Sequence, residues 1–229
     1  MLPALVAILV LGSMALAAYA QRSVQGSVAQ YRQVPARSGM SGREVAEFLL
    51  RSARLDGEVE VERSPGGQLS DHYDPRARVL RLSEQVHDGR DLAAIGIAAH
   101  EAGHALQHAA GYWPLGLRSI SVPIARLGGL VGLPLALIGL GMRSMPLTLV
   151  GLGLFASIVL FQLITLPVEI DASRRAVASL RGTGLLETEE EEKGVRSVLS
   201  SAAMTYLAAA ATSIAGLAQI LLRVFARRI

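Results

Sequence analysis

Four apolar runs, each near the length that crosses a bilayer, constrain this chain more than any other feature: residues 2–20, 120–142, 147–167 and 202–222. In hydrocarbon every backbone N–H and C=O must be satisfied within its own segment, so such runs fold as helices. The first is a 19-residue stretch without charge, just enough for a ~30 Å core at 1.5 Å per residue. "AYA" at 18–20 imitates a signal-peptidase site, but no Lys or Arg precedes the run and Arg22 follows it, which favours an uncleaved anchor. The second run is interrupted by Arg126, a residue expected either to snorkel or to face the protein interior. "RSMP" (143–146) joins the second and third runs, giving a transmembrane hairpin. Small residues in "YLAAAATSIAG" (206–216) suit close packing of membrane helices.

Composition supports the same reading. Hydrophobic residues make up 51% of the chain but aromatic residues only 4%, so the apolar mass is aliphatic. There is no cysteine, which excludes disulfides and thiolate metal sites. Net charge is only +3 and the arginines form no stripe, so no nucleic-acid partner is expected.

Between the runs lie two polar regions. In residues 21–118, "SGREVAEFLLRSARL" (41–55) predicts an amphipathic helix with Val45, Phe48, Leu49 and Leu55 near one side. "EVEVER" (58–63) alternates like a strand, and residues 67–84 predict two short strands joined by a turn at Asp74-Pro75. Asp91 is placed to cap a helix over 92–110, with Gly111 just past its end. In residues 168–200 a polar helix (168–181) precedes "ETEEEEKG" (187–194), which predicts a water-facing helix start capped by Thr188.

The expected organisation is an anchor (1–20), a small α+β domain (21–118), a transmembrane hairpin (119–167), a polar helix with an acidic loop (168–200) and a C-terminal apolar helix with a basic tail (201–229). The fold class is thus mainly α: a multi-pass membrane protein of about four apolar helices. Residues 21–118 hold twelve Lys and Arg and residues 168–200 hold five, against Arg143 alone in the hairpin turn. That bias puts both polar regions on the cytoplasmic side of a cytoplasmic (inner) membrane. Arg223, Arg227 and Arg228 run against it: either the last helix does not fully cross, or the rule is locally violated.

The predicted helix over 92–110 carries "HEAGH" (100–104). Residues four apart on a helix share a face, so His100 and His104 can reach one metal ion at ~2.0–2.1 Å. Glu101 can then take a proton from a water beside the metal and pass it to a leaving amine. The competing reading, buried histidines and a carboxylate in an apolar helix with no partner, costs several kcal/mol. His108 cannot be the third ligand, because it lies about 12 Å along the axis from His100. The best-placed carboxylate is Glu169, just after Pro167 where the third run ends. Helix N-terminal capping is the alternative role for Glu169, and more so for Asp171. Two histidines that need an acidic partner favour Glu169 as the ligand.

These residues resemble the YugP-type neutral zinc metallopeptidases of bacterial membranes. The resemblance rests on "LSDHYDPRARVLRLS" (69–83), "AAHEAGHALQHAAGYWPLGLRS" (98–119), "FQLITLPVEIDASRRA" (161–176) and "AAMTYLAAAATSIAGLAQILLR" (202–223). The site is also similar to that of HtpX-type membrane metalloproteases, in which a transmembrane hairpin separates HExxH from a helix bearing Glu-x-x-Ala-Asp. The resemblance implies a gluzincin-like zinc metalloendopeptidase with Zn²⁺ on His100, His104 and Glu169 and with Glu101 as general base. Ser173 stands where that pattern has the Asp that orients a ligand histidine, so either Ser173 substitutes or Asp171 supplies the support. In "DHYDP" (71–75) the first predicted strand could pair with an extended substrate, and His72 or Tyr73 could stabilise the oxyanion; against this stands a plain turn, with Asp71 and Asp74 capping and Tyr73 packing.

The expected substrate is a membrane or membrane-proximal polypeptide, with the bilayer as the other partner. A chain this small leaves room for an adaptor protein or a second copy to present it. The rival readings are an inactive membrane metal-binding scaffold and a transporter component. The transporter reading is disfavoured because the ionisable residues gather at the ends of the apolar runs.

Overall fold

A computed structural model describes residues 2–67 and 70–226. Gln68 and Leu69, ahead of the predicted hairpin, and Arg227 and Arg228 of the basic tail lie outside them. The described chain is mainly helical with one small sheet, and four of its helices are long and apolar enough to cross a membrane. It divides into two compact units, one of residues 1–21, 116–167 and 204–229, the other of 22–115 and 168–203.

The second unit carries the polar regions. Its first complete helix is α2 (Gly42–Ser52), preceded in the chain by α1 (Leu2–Tyr31). Ser41 and Glu44 close a reciprocal capping box: Glu44 N–H donates to Ser41 Oγ at 3.2 Å and Ser41 N–H to Glu44 Oε2 at 2.7 Å. Val45, Ala46, Leu49 and Leu50 are buried. Phe48, expected on that face, is 36% exposed because the buried stripe follows the 45/46/49/50 rows and leaves it on the flank. Leu55 is buried, but beyond the helix end.

Strands β1 (Glu60–Arg63), β2 (His72–Asp74) and β3 (Val79–Leu82) form a sheet of order β1-β3-β2. β2 and β3 are the antiparallel hairpin that the turn residues predicted, and β1 joins β3 in parallel. The turn is held by Asp74, whose Oδ1 accepts from Arg76 N–H and Ala77 N–H. Asp71 accepts from the Ser83 N–H and hydroxyl. Both aspartates therefore serve as caps in the way the turn reading describes. After a short α3 (Glu84–Asp88) comes α4 (Leu92–Ala109), whose cap Asp91 accepts from Ala94 N–H at 2.9 Å. Gly111 follows with φ of +63°, a conformation that suits a residue without Cβ just past a helix end.

The first unit contains the hairpin. Its first arm is α5 (Trp113–Leu127), a π-helical turn (Gly128–Gly132) and α6 (Leu133–Gly141); its second begins α7 (Met145–Gly182). The arms meet at backbone contact: a Cβ on Gly151 would lie 2.2 Å from Ala136 N. Arg126 is exposed, so it does not face the unit's interior. Ile120, Leu130, Ile138 and Leu160 are among the large apolar side chains that stand outward, which suits a lipid solvent.

Three helices are longer than expected, the first being α1, which continues past the anchor's expected end at 20 to Tyr31. α7 passes Pro167 without a break, so no separate helix starts at 168. α8 (Glu189–Ala226) runs through the expected boundary at 200. Thr188 caps it, with Glu191 N–H donating to its Oγ1 at 3.2 Å. Glu191 itself is buried rather than water-facing, because its Oε1 accepts from Arg37 N–H and its Oε2 from Glu187 N–H.

Leu80 and Leu82 of β3 are fully buried in the core of the second unit. Leu80→Ala is expected to lower stability by about 2–5 kcal/mol through the cavity it leaves, read as a lowered thermal midpoint in detergent.

Candidate metal centre

α4 presents His100 and His104 one turn apart, with ring centroids 4.8 Å apart and planes nearly perpendicular. Glu169 lies well inside α7 and is 2% exposed. N-terminal capping is therefore not its role, since the helix begins at Met145. His100 Nε2 is 3.1 Å from Glu169 Oε2, and His104 Nε2 is 3.7 Å from the same oxygen. One ligand atom from each residue lies within 4.8 Å of the others.

That donor set fits a metal ion. Ligands held at ~2.0–2.1 Å by one tetrahedral ion stand about 3.3 Å apart, and the two measured separations fall on either side of that value. Two imidazole nitrogens and a carboxylate oxygen are a zinc-type set, whereas calcium or magnesium would call for oxygens throughout.

The helices come this close because of Gly103. A Cβ there would lie 2.5 Å from the Ala172 carbonyl oxygen. A second backbone in that position leaves room only for hydrogen, so the residue ahead of His104 sets the distance between α4 and α7. Ala98, Ala99, Ala102 and Ala105 on α4 and Ala172 and Ala176 on α7 are also buried and small.

Around the cluster a polar network holds the rings. Ser173 Oγ is 3.1 Å from His100 Nδ1. His104 Nδ1 is 3.0 Å from Gln107 Oε1. The Gln107 amide nitrogen donates to Val168 O and to Asp171 Oδ2, each at 2.8 Å. Arg175 Nε donates to Asp171 Oδ2 at 2.6 Å, and its guanidinium lies 5.8 Å from the centre of the Tyr112 ring. Ser173 thus touches a histidine directly, while Asp171 reaches one only through Gln107. Gln107 was not singled out by sequence: a glutamine three residues after a histidine looks like any helix-face side chain until α7 is in place.

The remaining candidates are placed as follows. Glu101 is 8% exposed and lies three residues before His104, on an adjoining row of α4. His108 is outside the cluster, with its Nδ1 2.8 Å from the Tyr73 hydroxyl. Tyr73 packs inward from β2, and burial pushes its phenol above the ordinary value, so it stays protonated at neutral pH. His72 points the other way; it is exposed and its Nδ1 donates to Ser70 O at 2.8 Å. The structure brings His100, His104, Glu169, Asp171 and Ser173 together and leaves His72 apart.

Comparisons with known proteins also point to zinc. Residues 6–225 match a family described as "putative neutral zinc metallopeptidase". A curated relative, "Putative membrane protease YugP" from Bacillus subtilis (strain 168), is 42% identical over 207 residues, 90% of each chain. No solved structure matches.

Gly103→Ala is expected to force α4 and α7 apart, lowering stability by about 1–3 kcal/mol and zinc affinity at least tenfold. Gly96→Ala is the control, because its Cβ would meet the Val195 side chain, at 3.3 Å or more, and no backbone of another element. Competition titration against a chelator separates the two.

Proposed function

The chain belongs to the neutral zinc metallopeptidase family, and from that premise we propose that it is a membrane-embedded zinc endopeptidase. The observation that carries the reading is the convergence of His100 and His104 with Glu169, from helices some 60 residues apart in sequence, into one buried donor set. These three residues would hold Zn²⁺. When bound, zinc supplies a Lewis acid that polarises a carbonyl and lowers the pKa of water.

The rest of the chemistry belongs to the chain. Glu101 takes a proton from the attacking water and delivers it to the amide nitrogen as the peptide bond breaks. Glu101 is itself buried, which limits the competition of bulk water for that proton. Of the two oxyanion candidates, Tyr73 faces α4 and meets His108 one turn beyond His104, whereas His72 is turned away.

Substrate pairing is a matter of sheet order. β2 lies at the edge of the sheet, with β3 on one side. An extended polypeptide adding to its other side would run along the strand that carries Tyr73, with main-chain hydrogen bonds giving affinity for many sequences. Four helices suited to a bilayer favour a membrane or membrane-proximal polypeptide as the substrate. The distribution of Lys and Arg favours a site on the cytoplasmic side of the inner membrane.

Two variants test the proposal. Glu101→Gln is expected to keep about one zinc per chain while cleavage of labelled casein in detergent falls at least about 100-fold. Glu169→Ala is expected to lose the zinc as well. A wild type without zinc after gentle purification and zinc resupply would remove the basis for a hydrolase.

A further inference from the structure

We propose that Gln107 is the positioning residue that makes His104 a metal ligand, with Asp171 and Arg175 holding Gln107 in turn. The inference rests on the zinc-peptidase reading of the same site and assigns what fixes one of its two histidines.

The orientation of a side-chain amide follows from its neighbours. Gln107 is fully buried, and one end of its amide faces Val168 O and Asp171 Oδ2 at 2.8 Å each. A main-chain carbonyl and a carboxylate only accept. An amide oxygen there would set three acceptors against one another in a buried place, so that end is the NH₂ group, with both its protons used. The other end is then Oε1, which also only accepts, and it faces His104 Nδ1 at 3.0 Å. The hydrogen bond exists only if Nδ1 carries the proton.

That settles the far side of the ring. In the neutral ring that a metal ion binds, a proton on Nδ1 leaves His104 Nε2 with a lone pair directed to the Glu169 side, 3.7 Å from Oε2. A lone pair and a carboxylate oxygen at this distance repel in a low-dielectric site, and a cation between them turns the repulsion into coordination. Gln107 therefore leaves His104 as a ligand in waiting.

His100 is held differently. Its Nδ1 faces the Ser173 hydroxyl, which can donate or accept, while its Nε2 stands 3.1 Å from Glu169 Oε2, which only accepts. The two histidines of the motif are thus not equivalent: at Nδ1 one faces a pure acceptor and is fixed, the other faces a hydroxyl that adapts to it. The fixed one is tied to charge, because Asp171 Oδ2 is shared between Gln107 and Arg175, and an anion behind the amide strengthens its pull on the Nδ1 proton.

The test combines imidazole ¹⁵N NMR of the zinc-free full chain with zinc competition titration, on wild type, Gln107→Met, Asp171→Ala and Ser173→Ala. In the wild type, His104 is expected to show a protonated Nδ1. Gln107→Met is expected to lose that signature and to weaken zinc binding about 10–100-fold. Asp171→Ala leaves Gln107 its bond to Val168 O and should sit near the lower end of that range, while Ser173→Ala should leave the His104 signature unchanged. If Gln107→Met does not fold, the wild-type spectrum and Asp171→Ala, a substitution at a partly exposed side chain, carry the test. A neutral His104 ring in the wild type with its proton on Nε2 and none on Nδ1 overturns the proposal. So does undiminished zinc affinity in Gln107→Met when the wild type binds zinc. A wild type that takes up no zinc overturns the peptidase reading, and this one with it.

Discussion

The candidate centre depends on one contact, the approach of α4 to α7 at Gly103 and Ala172. A pair of histidines at i and i+4 is common on helices and holds nothing firmly by itself. What makes the pair a site is a carboxylate brought up from another element, and a carboxylate cannot approach if Cβ atoms keep the helices at ordinary spacing. Glycine in HEAGH removes the obstacle, and the buried alanines on both sides extend the seam. The chemistry and the packing are thus specified in the same five residues.

Much of this was legible locally. The cap at Asp91, the glycine past the end of α4, the turn at Asp74-Pro75 and the capping by Thr188 are each set by residues a few positions apart, and each has one low-energy solution. What could not be read was the extent of α1, α7 and α8. A change from apolar to polar composition looks like a boundary, but helix propensity and period do not change there, and Pro167 interrupts only one hydrogen bond. The parallel pairing of β1 with β3, which leaves β2 at the edge, is a long-range choice with no local signature.

The same distinction runs through the site. His100 and His104 are visible because their spacing is the period of one helix. Glu169 is visible only as the answer to a need, since the two rings require an acidic partner and few carboxylates are available at the ends of the apolar runs. Gln107 is invisible: its neighbours Val168 and Asp171 lie more than 60 residues away, and nothing in "HALQHA" distinguishes it from a solvent-facing glutamine. The Ser173 departure from the related pattern pointed to the right question, which residue supports the histidines, without indicating that the support would divide between two.

That division has a physical logic. A single aspartate against a ligand histidine brings a full charge into a buried site, where it must be offset by the ion or by further donors. Here the charge of Asp171 stands one residue further out, already paired with Arg175 and 28% exposed at its side chain. Only the neutral amide of Gln107 enters the interior. The cost of desolvating an anion is reduced, and the directional effect on the ring is kept, because an amide whose NH₂ end is fully engaged has a single way to face the histidine. A neutral relay of this kind suits a site carried on the same helix as a membrane-length apolar run, where a second uncompensated carboxylate beside Glu169 would be hardest to accommodate.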